Sequence, residues 1–396
     1  MTAPAFDYFD TPASADAWFG GLGRITTLAI DTEGASFHRF VDRIYLLQLT
    51  AVGRHAILDP LPLGPLSPLG ALLESPEVEV IFHDADYDLR LLHQDYGWHV
   101  RRIFDTRIAA QLLGIKAFGL AALLEQHFGV TLDKKHQRAD WSMRPLTDDM
   151  LAYAVQDTAW LPELRDRLAD QLAAKGRTAW AREEFARLEG TRWPQEDPAT
   201  GYLRVKGARD LTRRELARLR EVLPWRDAKA KELDRSTFRV MGNDVLLEVV
   251  RVPEPTRQTL GAVKGMPRGL FERHAGDLLE MLRKADALPE SALPRFPKGP
   301  RFARDPEFDH KVGQLKAARD QWATKLELDP GVLCSRERLE AVVRRLPRAV
   351  EELAEVPELR QWQIELMGAD FVKALASFAP APASAVAEES PYRAPR

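Results

Sequence analysis

Two acidic residues stand at the end of an apolar segment that is typical of a buried strand. Residues 25–31 read ITTLAID, and Asp31 is followed after one residue by Glu33. Residues i and i+2 of a strand face the same side of a sheet, about 7 Å apart along the strand. Because carboxylates at the end of an apolar strand are costly without a cation, we interpret the pair as cation ligands; an acidic surface loop is the alternative.

A second group of acids follows the apolar segment 78–83, which is also typical of a strand. Asp88 lies one turn into the helix predicted after that strand, where its side chain would face the same crevice as the strand ends. Asp84 and Asp86 are better explained as the N-cap and a solvated residue of the first helical turn.

A third group consists of Tyr153 and Asp157, in a long helix predicted to open at Thr147. Residues four apart share one helical face, so the phenol and the carboxylate would point in one direction. Taken alone, this spacing is also common in helices without any catalytic role. Oxygen donors without His or Cys favour hard cations such as Mg²⁺ or Mn²⁺, and the single Cys334 excludes a Cys-rich zinc site.

Taken in order, these three groups resemble the motifs of the DEDD family of 3′-to-5′ exonucleases in its tyrosine subclass. The segment 132–146, LDKKHQRADWSMRPL, is similar to the LDK…Q…DW..RPL segment of the ribonuclease D family. Ala139 stands where a serine is common, and Gly34 follows Glu33, but neither departure touches the acidic residues. The resemblance covers roughly residues 20–170.

This resemblance implies an α/β, ribonuclease H-like exonuclease domain with a mixed sheet, which hydrolyses RNA with two divalent cations, Mg²⁺ or Mn²⁺. Asp31 would bridge the two ions, and Glu33 and Asp157 would hold the ion that activates water. Asp88 would support the second ion, and Tyr153 would orient the attacking water. The products would be nucleoside 5′-monophosphates, and the substrates RNAs with a free 3′ end, tRNA precursors among them.

Apolar segments with short links predict the elements that position these residues. We expect three adjacent antiparallel strands and then strand–helix alternation, with strands at 25–31, 43–50, 55–59, 78–83 and 101–106 and helices at 107–113 and 119–128.

After Gly190 the pattern becomes almost entirely helical, and two segments resemble each other. Residues 213–233 parallel residues 313–328, and both regions are similar to HRDC modules, so two all-α domains are expected. The predicted domains are an exonuclease domain (residues 1–195), two HRDC-like domains (205–287 and 305–378) and a disordered tail (379–396).

The charge is distributed unevenly along the chain. Residues 1–100 hold 5 Lys/Arg against 14 Asp/Glu, whereas residues 201–300 hold 21 against 14. The basic segment predicts phosphate contacts that are independent of sequence, although a solvated helix face would look the same. The candidate substrate contacts are Gln48, Lys134, Arg138, Arg144, Lys206, Arg209, Arg213 and Arg214.

For two of these residues a purely structural role is the alternative. Gln48 would be a buried hydrogen-bonding residue, and Arg144 would pair with Asp140 to hold its loop. Trp141 is expected to pack in the core rather than stack on a base.

Two other functions remain open at this point: a DNA 3′-to-5′ exonuclease of the Werner or proofreading type, and a nucleic-acid-binding protein with an inactive site. A dinucleotide-binding function is excluded, because no GxGxxG opens a helix after the first strand. The absence of a long apolar run or signal-like start, together with the single cysteine, predicts a cytoplasmic protein. We expect a monomer without a membrane segment or a small-molecule cofactor.

Overall fold

A computed structural model describes residues 4–133, 135–195, 197–297 and 305–378 of the chain. The candidate contact Lys134 and the predicted disordered tail 379–396 lie outside these residues.

A six-stranded mixed sheet forms the centre of the N-terminal region, with the strand order β1-β4-β3-β2-β5-β6. Strand β3 pairs antiparallel with both β2 and β4. The other pairs are parallel: β1 with β4, and β5 with both β2 and β6. The strands are β1 (Asp7–Phe9), β2 (Thr27–Glu33), β3 (Leu46–Ala51), β4 (Arg54–Leu58), β5 (Glu79–Phe82) and β6 (Ile103–Asp105).

The predicted antiparallel trio and the two later strands are confirmed, with ends that differ by a few residues. The short strand β1 was not predicted, because three residues give no measurable alternation of apolar and polar side chains. It adds an edge to the sheet by pairing with β4.

Helices cover both faces of the sheet. One face, which includes Leu28 and Ile30, packs in an apolar core, and the other face packs Leu46 and Ile57 against Trp141. The helices up to residue 128 are α1 (Pro12–Gly20), α2 (Pro60–Leu63), α3 (Ser67–Leu73), α4 (Asp86–Tyr96), α5 (Thr106–Leu113) and α6 (Leu120–Phe128).

The single long helix predicted from Thr147 is wrong. The start is as expected, because the Thr147 hydroxyl accepts a hydrogen bond from the backbone N–H of Met150 at 3.2 Å. The segment then divides into α7 (Asp148–Ala154), α8 (Gln156–Ala159) and α9 (Leu161–Ala174). Pro162 has no N–H to donate to the preceding turn, which explains why a new helix begins near it.

The remaining chain is helical, and it contains two modules of similar design. The helices are α10 (Thr178–Leu188), then α11 (Arg213–Glu232), α12 (Thr237–Val240), α13 (Asn243–Arg251), α14 (Arg257–Gly261) and α15 (Arg268–Asp286), then α16 (Phe308–Leu326), α17 (Pro330–Leu333), α18 (Arg336–Arg345) and α19 (Gln361–Leu375).

The long first helix of each module carries a buried arginine that binds the aspartate following it. Arg226 donates to Asp227 and Arg319 donates to Asp320, in each case from Nε at 2.9 Å. Arg226 also donates to Asn243 at 2.6 Å, and Arg319 to the Cys334 carbonyl at 2.9 Å. The shared contact supports the divergent repeat that the sequence predicts.

The chain divides into two compact units. The first comprises the described residues within Met1–Thr106, Gly119–Arg167 and Phe185–Phe302, and the second those within Arg107–Phe118, Leu168–Glu184 and Ala303–Arg396. In the second unit Trp180 stacks on Trp362, with ring centroids 4.6 Å apart. Within the described ranges, we find no helix with the length and apolar character required to traverse a bilayer.

Candidate active site

The end of β2 delivers Asp31 and Glu33 to one face of the sheet. Strand β2 lies between β3 and β5, and its preceding residues Leu28, Ala29 and Ile30 are fully buried. Both carboxylates are half-buried. An apolar strand in the middle of the sheet therefore fixes the position of two acids at its end.

Helix α8 brings Asp157 to the same place. One carboxylate oxygen of Asp31, one of Glu33 and one of Asp157 all lie within 4.8 Å of one another. The hydroxyl of Thr50 on β3 donates to the Thr158 hydroxyl at 3.1 Å, which holds α8 against the sheet. We name Asp31, Glu33 and Asp157 the carboxylate cluster.

Asp88 lies beside this cluster on α4, but the structure does not place it among the three grouped carboxylates. Its Oδ1 accepts hydrogen bonds from the backbone N–H of Thr32 at 3.0 Å and from the Thr32 hydroxyl at 2.5 Å. Thr32 stands between Asp31 and Glu33, so β2 itself orients the fourth acid.

The N-terminus of α4 has a different cap from the one expected. Ala85 occupies the N-cap position, and its backbone N–H donates to the Asp105 carboxylate at 2.8 Å. Asp84 adopts a positive φ of 69° and is not the cap. Asp86 is exposed and binds Arg90, in agreement with its predicted solvated role.

Burial and mutual repulsion raise the pKa of every acid at the site. The pKa values of Asp31 and Glu33 lie well above their usual range, first because of burial and then because of the neighbouring carboxylates. Burial raises the pKa of Asp88 to about 7, although the hydrogen bonds from Thr32 act in the opposite direction. Burial, followed by the charge of Asp88, raises the pKa of Asp157 to about 7. A cation at this position would relieve the repulsion.

The donor chemistry of the cluster fits a hard divalent cation. Its three residues offer only carboxylate oxygens, which Mg²⁺ and Mn²⁺ prefer, and their spacing allows more than one to reach a common ion. The raised pKa values mean that the ionised carboxylates are destabilised without a nearby positive charge, which agrees with a bound cation.

Tyr153 lies half-buried near the cluster, at the end of α7. Its ring is 5.8 Å from that of His136 and 6.1 Å from that of Trp141, between centroids. Burial, followed by the charges of Asp157 and Glu33, raises the pKa of its phenol. The hydroxyl therefore stays protonated and able to donate a hydrogen bond.

Gln48 is opposite Asp31 in the β2–β3 pair, so the two side chains share a face of the sheet. It is fully buried, and neither of its amide atoms has a hydrogen-bond partner within the described part of the chain. The suggested buried hydrogen bond is thus not found there, and a contact with substrate stays a prediction.

The suggested pair of Arg144 and Asp140 is wrong. Arg144 binds both carboxylate oxygens of Asp59, with Nε–Oδ2 and Nη2–Oδ1 distances of 2.5 and 2.8 Å. It also donates to the backbone carbonyls of Tyr45 and Trp141. Because its donors are occupied within the protein, Arg144 positions residues 135–146 and does not fit the role of a substrate contact.

Two further cations of the predicted set are also engaged in structural contacts. Arg213 donates to the carbonyls of Glu290 and Leu293, and Arg214 donates to three carbonyls at the end of α15 and just after it. They close the first helical module and do not form an open phosphate-binding face.

The other predicted cations with described positions are exposed. Arg138 lies 5.9 Å from the centroid of the Phe37 ring, and Arg209 lies 5.1 Å from that of Phe296. Lys206 is exposed as well. Trp141 is 1% exposed and packs in the core, as expected.

Sequence reasoning missed the residues that hold the site together: Thr32, Asp59 and Asp105. Thr32 was detectable, since it separates the two acids of β2. Asp59 and Asp105 gave no such signal, because their partners are at residues 144 and 85, far from them in sequence.

Family models match most of the chain. A 3′-5′ exonuclease model matches residues 6–173, and an HRDC domain model matches residues 215–282 and 312–375. The exonuclease match contains the carboxylate cluster, Asp88 and Tyr153.

Curated relatives match over nearly their whole length. Ribonuclease D of Gluconacetobacter diazotrophicus is 30% identical over 351 residues, 88% of this chain and 87% of the relative. Ribonuclease D of Pseudomonas paraeruginosa is 30% identical over 381 residues, 95% of this chain and 99% of the relative.

A solved structure shows the same fold. The crystal structure of Escherichia coli RNase D, described as an exoribonuclease involved in structured RNA processing, superposes with a TM-score of 0.73. The match is 24% identical and covers 95% of this chain and 100% of that one.

Proposed function

This chain belongs to the ribonuclease D family and is a 3′-to-5′ exoribonuclease, and we propose that it releases nucleoside 5′-monophosphates by two-metal-ion hydrolysis. The observation that carries the proposed mechanism is the carboxylate cluster. Three acids from β2 and α8 come within 4.8 Å of one another, beside a fourth acid on α4. Such a group is unfavourable unless cations balance it.

Two Mg²⁺ or Mn²⁺ ions, when bound, would supply an activated water and neutralise charge on the phosphate. In this proposal Asp31 would contribute to both ions, Glu33 and Asp157 would hold the ion that activates water, and Asp88 would support the other. Thr32 keeps Asp88 in place through two hydrogen bonds.

Tyr153 is proposed to orient the attacking water. A phenol is protonated at neutral pH, and burial raises the pKa of Tyr153 further, so its hydroxyl would donate a hydrogen bond to the water. Its ring contacts those of His136 and Trp141.

The expected product follows from the bond that breaks. Water oxygen attacks the last phosphorus, and the 3′ oxygen of the preceding nucleotide leaves, so the released nucleotide keeps its 5′ phosphate. The shortened RNA has a new 3′ hydroxyl and is the next substrate.

The proposed substrates are structured RNAs with a free 3′ end, tRNA precursors among them. Support comes from the E. coli relative, an exoribonuclease of structured RNA processing. We also propose a monomer that acts in the reducing cytoplasm, where the one cysteine, buried Cys334, would stay a thiol.

The test compares RNAs labelled at the 5′ or the 3′ end, incubated with Mg²⁺, with Mn²⁺ or with a chelator. The 3′ label should appear at once as a mononucleotide, the 5′ label should give a descending ladder, and the chelator should stop both. A DNA oligonucleotide of the same sequence and a tRNA precursor with a 3′ extension run in parallel. Faster loss of the DNA would contradict the proposed substrate, and hydrolysis that survives chelation would contradict the metal requirement.

A further inference from the structure

Exposed apolar side chains are frequent along three segments that Arg39 joins. Its guanidinium donates to the Ser142 hydroxyl at 2.6 Å and to the Asp234 carboxylate at 2.9 Å, so it ties three segments together. Of the eight large apolar residues exposed among those described, five lie within four residues of Arg39, Ser142 or Asp234: Phe37, Val41, Met143, Leu233 and Phe238. A folded monomer rarely gathers exposed apolar groups without a use for them.

Two phenylalanines form the centre of this region. Phe37 follows β2, and Phe238 lies on α12 of the first helical module. Their ring centroids are 6.1 Å apart at an interplanar angle of 76°, and each side chain is 53% exposed. We name Phe37 and Phe238 the aromatic surface.

The backbone under the aromatic surface is held firmly. The Ser236 hydroxyl donates to the Phe37 carbonyl at 3.0 Å, and Phe40 packs against the apolar core of the first module. One side of this loop is therefore anchored in a core, while the Phe37 ring stays in solvent. The backbone that presents the Phe37 ring is thus fixed by the fold, so this loop needs little ordering when a ligand binds.

One arginine lies beside the Phe37 ring, and two more are close to Phe238 in sequence. The Arg138 guanidinium lies 5.9 Å from the centroid of Phe37, and Arg235 and Arg239, on either side of Phe238 in sequence, are exposed. Exposed rings bordered by arginines are what non-specific single-strand binding requires, since bases stack on the rings and phosphates bind the cations.

Phe37, one of the two rings of the aromatic surface, lies on the segment that follows the acids of β2. Phe37 is four residues after Glu33, and Arg138 is in the segment that leads into α7 and Tyr153. His38 joins the two segments, with its Nε2 3.3 Å from the Arg138 carbonyl and its Nδ1 3.6 Å from the Asp140 carboxylate.

We propose that the aromatic surface stacks unpaired bases of the RNA strand whose 3′ end is being hydrolysed. The inference rests on the proposed function, because it assigns the contact to the same substrate. Stacking of this kind tolerates every base, so it would hold the strand without selecting a sequence.

The experiment measures kcat/KM of the full chain on a short oligoadenylate and on a series with a single abasic ribose at each successive position from the 3′ end. In the natural protein the abasic residue should lower kcat/KM about fivefold or more at one or two positions, the loss expected for one stacked base. The Phe37→Ala/Phe238→Ala double variant should show a similar loss on intact RNA and no further loss at those positions.

Three controls accompany it. Phe37→Tyr/Phe238→Tyr keeps both rings and should restore the natural abasic profile, and Leu61→Ala removes an exposed apolar side chain elsewhere and should change nothing. Each variant should have the melting temperature of the natural chain, both without Mn²⁺ and with it, which would show that the fold and the metal site are intact.

An unchanged abasic profile in the double alanine variant would overturn the inference, and so would natural activity of that variant on every RNA, as expected if the surface binds a protein instead. If the natural chain fails to hydrolyse any RNA with Mg²⁺ or Mn²⁺, the proposed function itself is wrong, and the inference falls with it.

Discussion

Four carboxylates converge on a small volume at the end of β2, and the protein tolerates their repulsion. One carboxylate oxygen from each of three acids lies within 4.8 Å of the other two, and the fourth acid is held by two hydrogen bonds from Thr32. Like charges at such distances keep one another protonated or bind cations. At the scale of single residues, the charge of the site therefore depends on whether protons or cations balance the four carboxylates.

Replacing one acid should remove activity and spare the fold. We expect Asp31→Asn, Glu33→Gln, Asp88→Asn or Asp157→Asn to lower the rate of RNA hydrolysis at least about a hundredfold, because removal of a ligand charge weakens metal binding. The metal-free variants should melt at the same temperature or higher, since repulsion is relieved. Asp86→Asn, an exposed acid two residues before Asp88, is the control and should keep its activity. Normal turnover by two of the four variants would contradict the model of four acids.

The pH dependence of stability is a second expectation for the metal-free protein. The pKa values of Asp88 and Asp157 rise from 3.8 to about 7 on folding, so the folded chain binds protons more tightly than the unfolded chain. The free energy of unfolding should then decrease as pH rises from about 4 to about 7, by roughly 1.4 kcal/mol for each unit of pKa shift before coupling and competing titrations are considered. Melting curves with a chelator should show a higher midpoint near pH 5.5 than near pH 7.5.

Mg²⁺ should raise the midpoint more at the higher pH, where the acids are ionised. Asp157→Asn should reduce the difference between the two pH values, since one of the shifted groups is gone. A metal-free protein that is more stable near pH 7.5 would contradict the electrostatic description of the cluster.

Tyr153→Phe removes one hydroxyl and leaves the ring in its contacts with His136 and Trp141. We expect the single-turnover rate to fall by roughly two orders of magnitude or more, the scale of a positioned proton donor. The affinity for Mn²⁺, followed by calorimetry, and the affinity for RNA should change little. An unchanged rate would show that Tyr153 is only a packing residue.

At the scale of elements, residues 135–146 lead into α7 and are joined to the sheet by Arg144. Arg144 connects this segment to Asp59 after β4 and to the Tyr45 carbonyl before β3. The Asp59 side chain is 4% exposed, so the pair is shielded from solvent on one side. The same contacts that exclude Arg144 from substrate binding make it a positioning residue.

Arg144→Ala should destabilise the protein because a buried carboxylate would lose its partner. The expected loss is near the lower end of roughly 3–5 kcal/mol, since the arginine is partly exposed. Arg90→Ala breaks an exposed pair with Asp86 and should cost about 0.5 kcal/mol or less. Denaturant titration of both variants measures the difference, and equal stabilities would refute the positioning role.

At the scale of the whole molecule, an acidic first hundred residues precede a basic third hundred. The structure divides those basic residues into two kinds. Arg213 and Arg214 bind carbonyls within their own module, while Lys206 and Arg209 are exposed. Only cations of the second kind are available to balance the repulsion between an acidic nuclease and RNA phosphates.

We therefore expect Lys206→Ala/Arg209→Ala to weaken RNA binding in a manner that depends on salt. Each lost phosphate contact should reduce the slope of log affinity against log salt by roughly 0.7 for a single strand. Arg213→Ala, the matched control, should lower the melting temperature and leave the salt slope unchanged. Fluorescence anisotropy with a labelled RNA across a salt series gives both slopes. Identical slopes for the double variant and the natural chain would mean that the basic segment is a solvated face.

Much of the fold and most of the candidate site could be predicted from the sequence, because the patterns that indicate them are local. Asp31 and Glu33 end an apolar strand, Tyr153 and Asp157 are four apart, and alternating apolar segments predict the mixed sheet. The family motifs then predict the activity, and the recurrence of a helical pattern predicts two similar modules. Each of these signals depends on neighbours within one turn or one strand, but the break between α7, which carries Tyr153, and α8, which carries Asp157, was not predicted.

The tertiary structure decided which side chains are used for support. Arg144 binds Asp59 from 85 positions away, and Arg213 binds carbonyls 77 and 80 positions away. A charge on a helix face has the same sequence pattern whether it binds phosphate or a carbonyl, because the partner comes from a distant segment. The pairing of Phe37 with Phe238 arises in the same way, when two segments 201 residues apart meet in the folded chain.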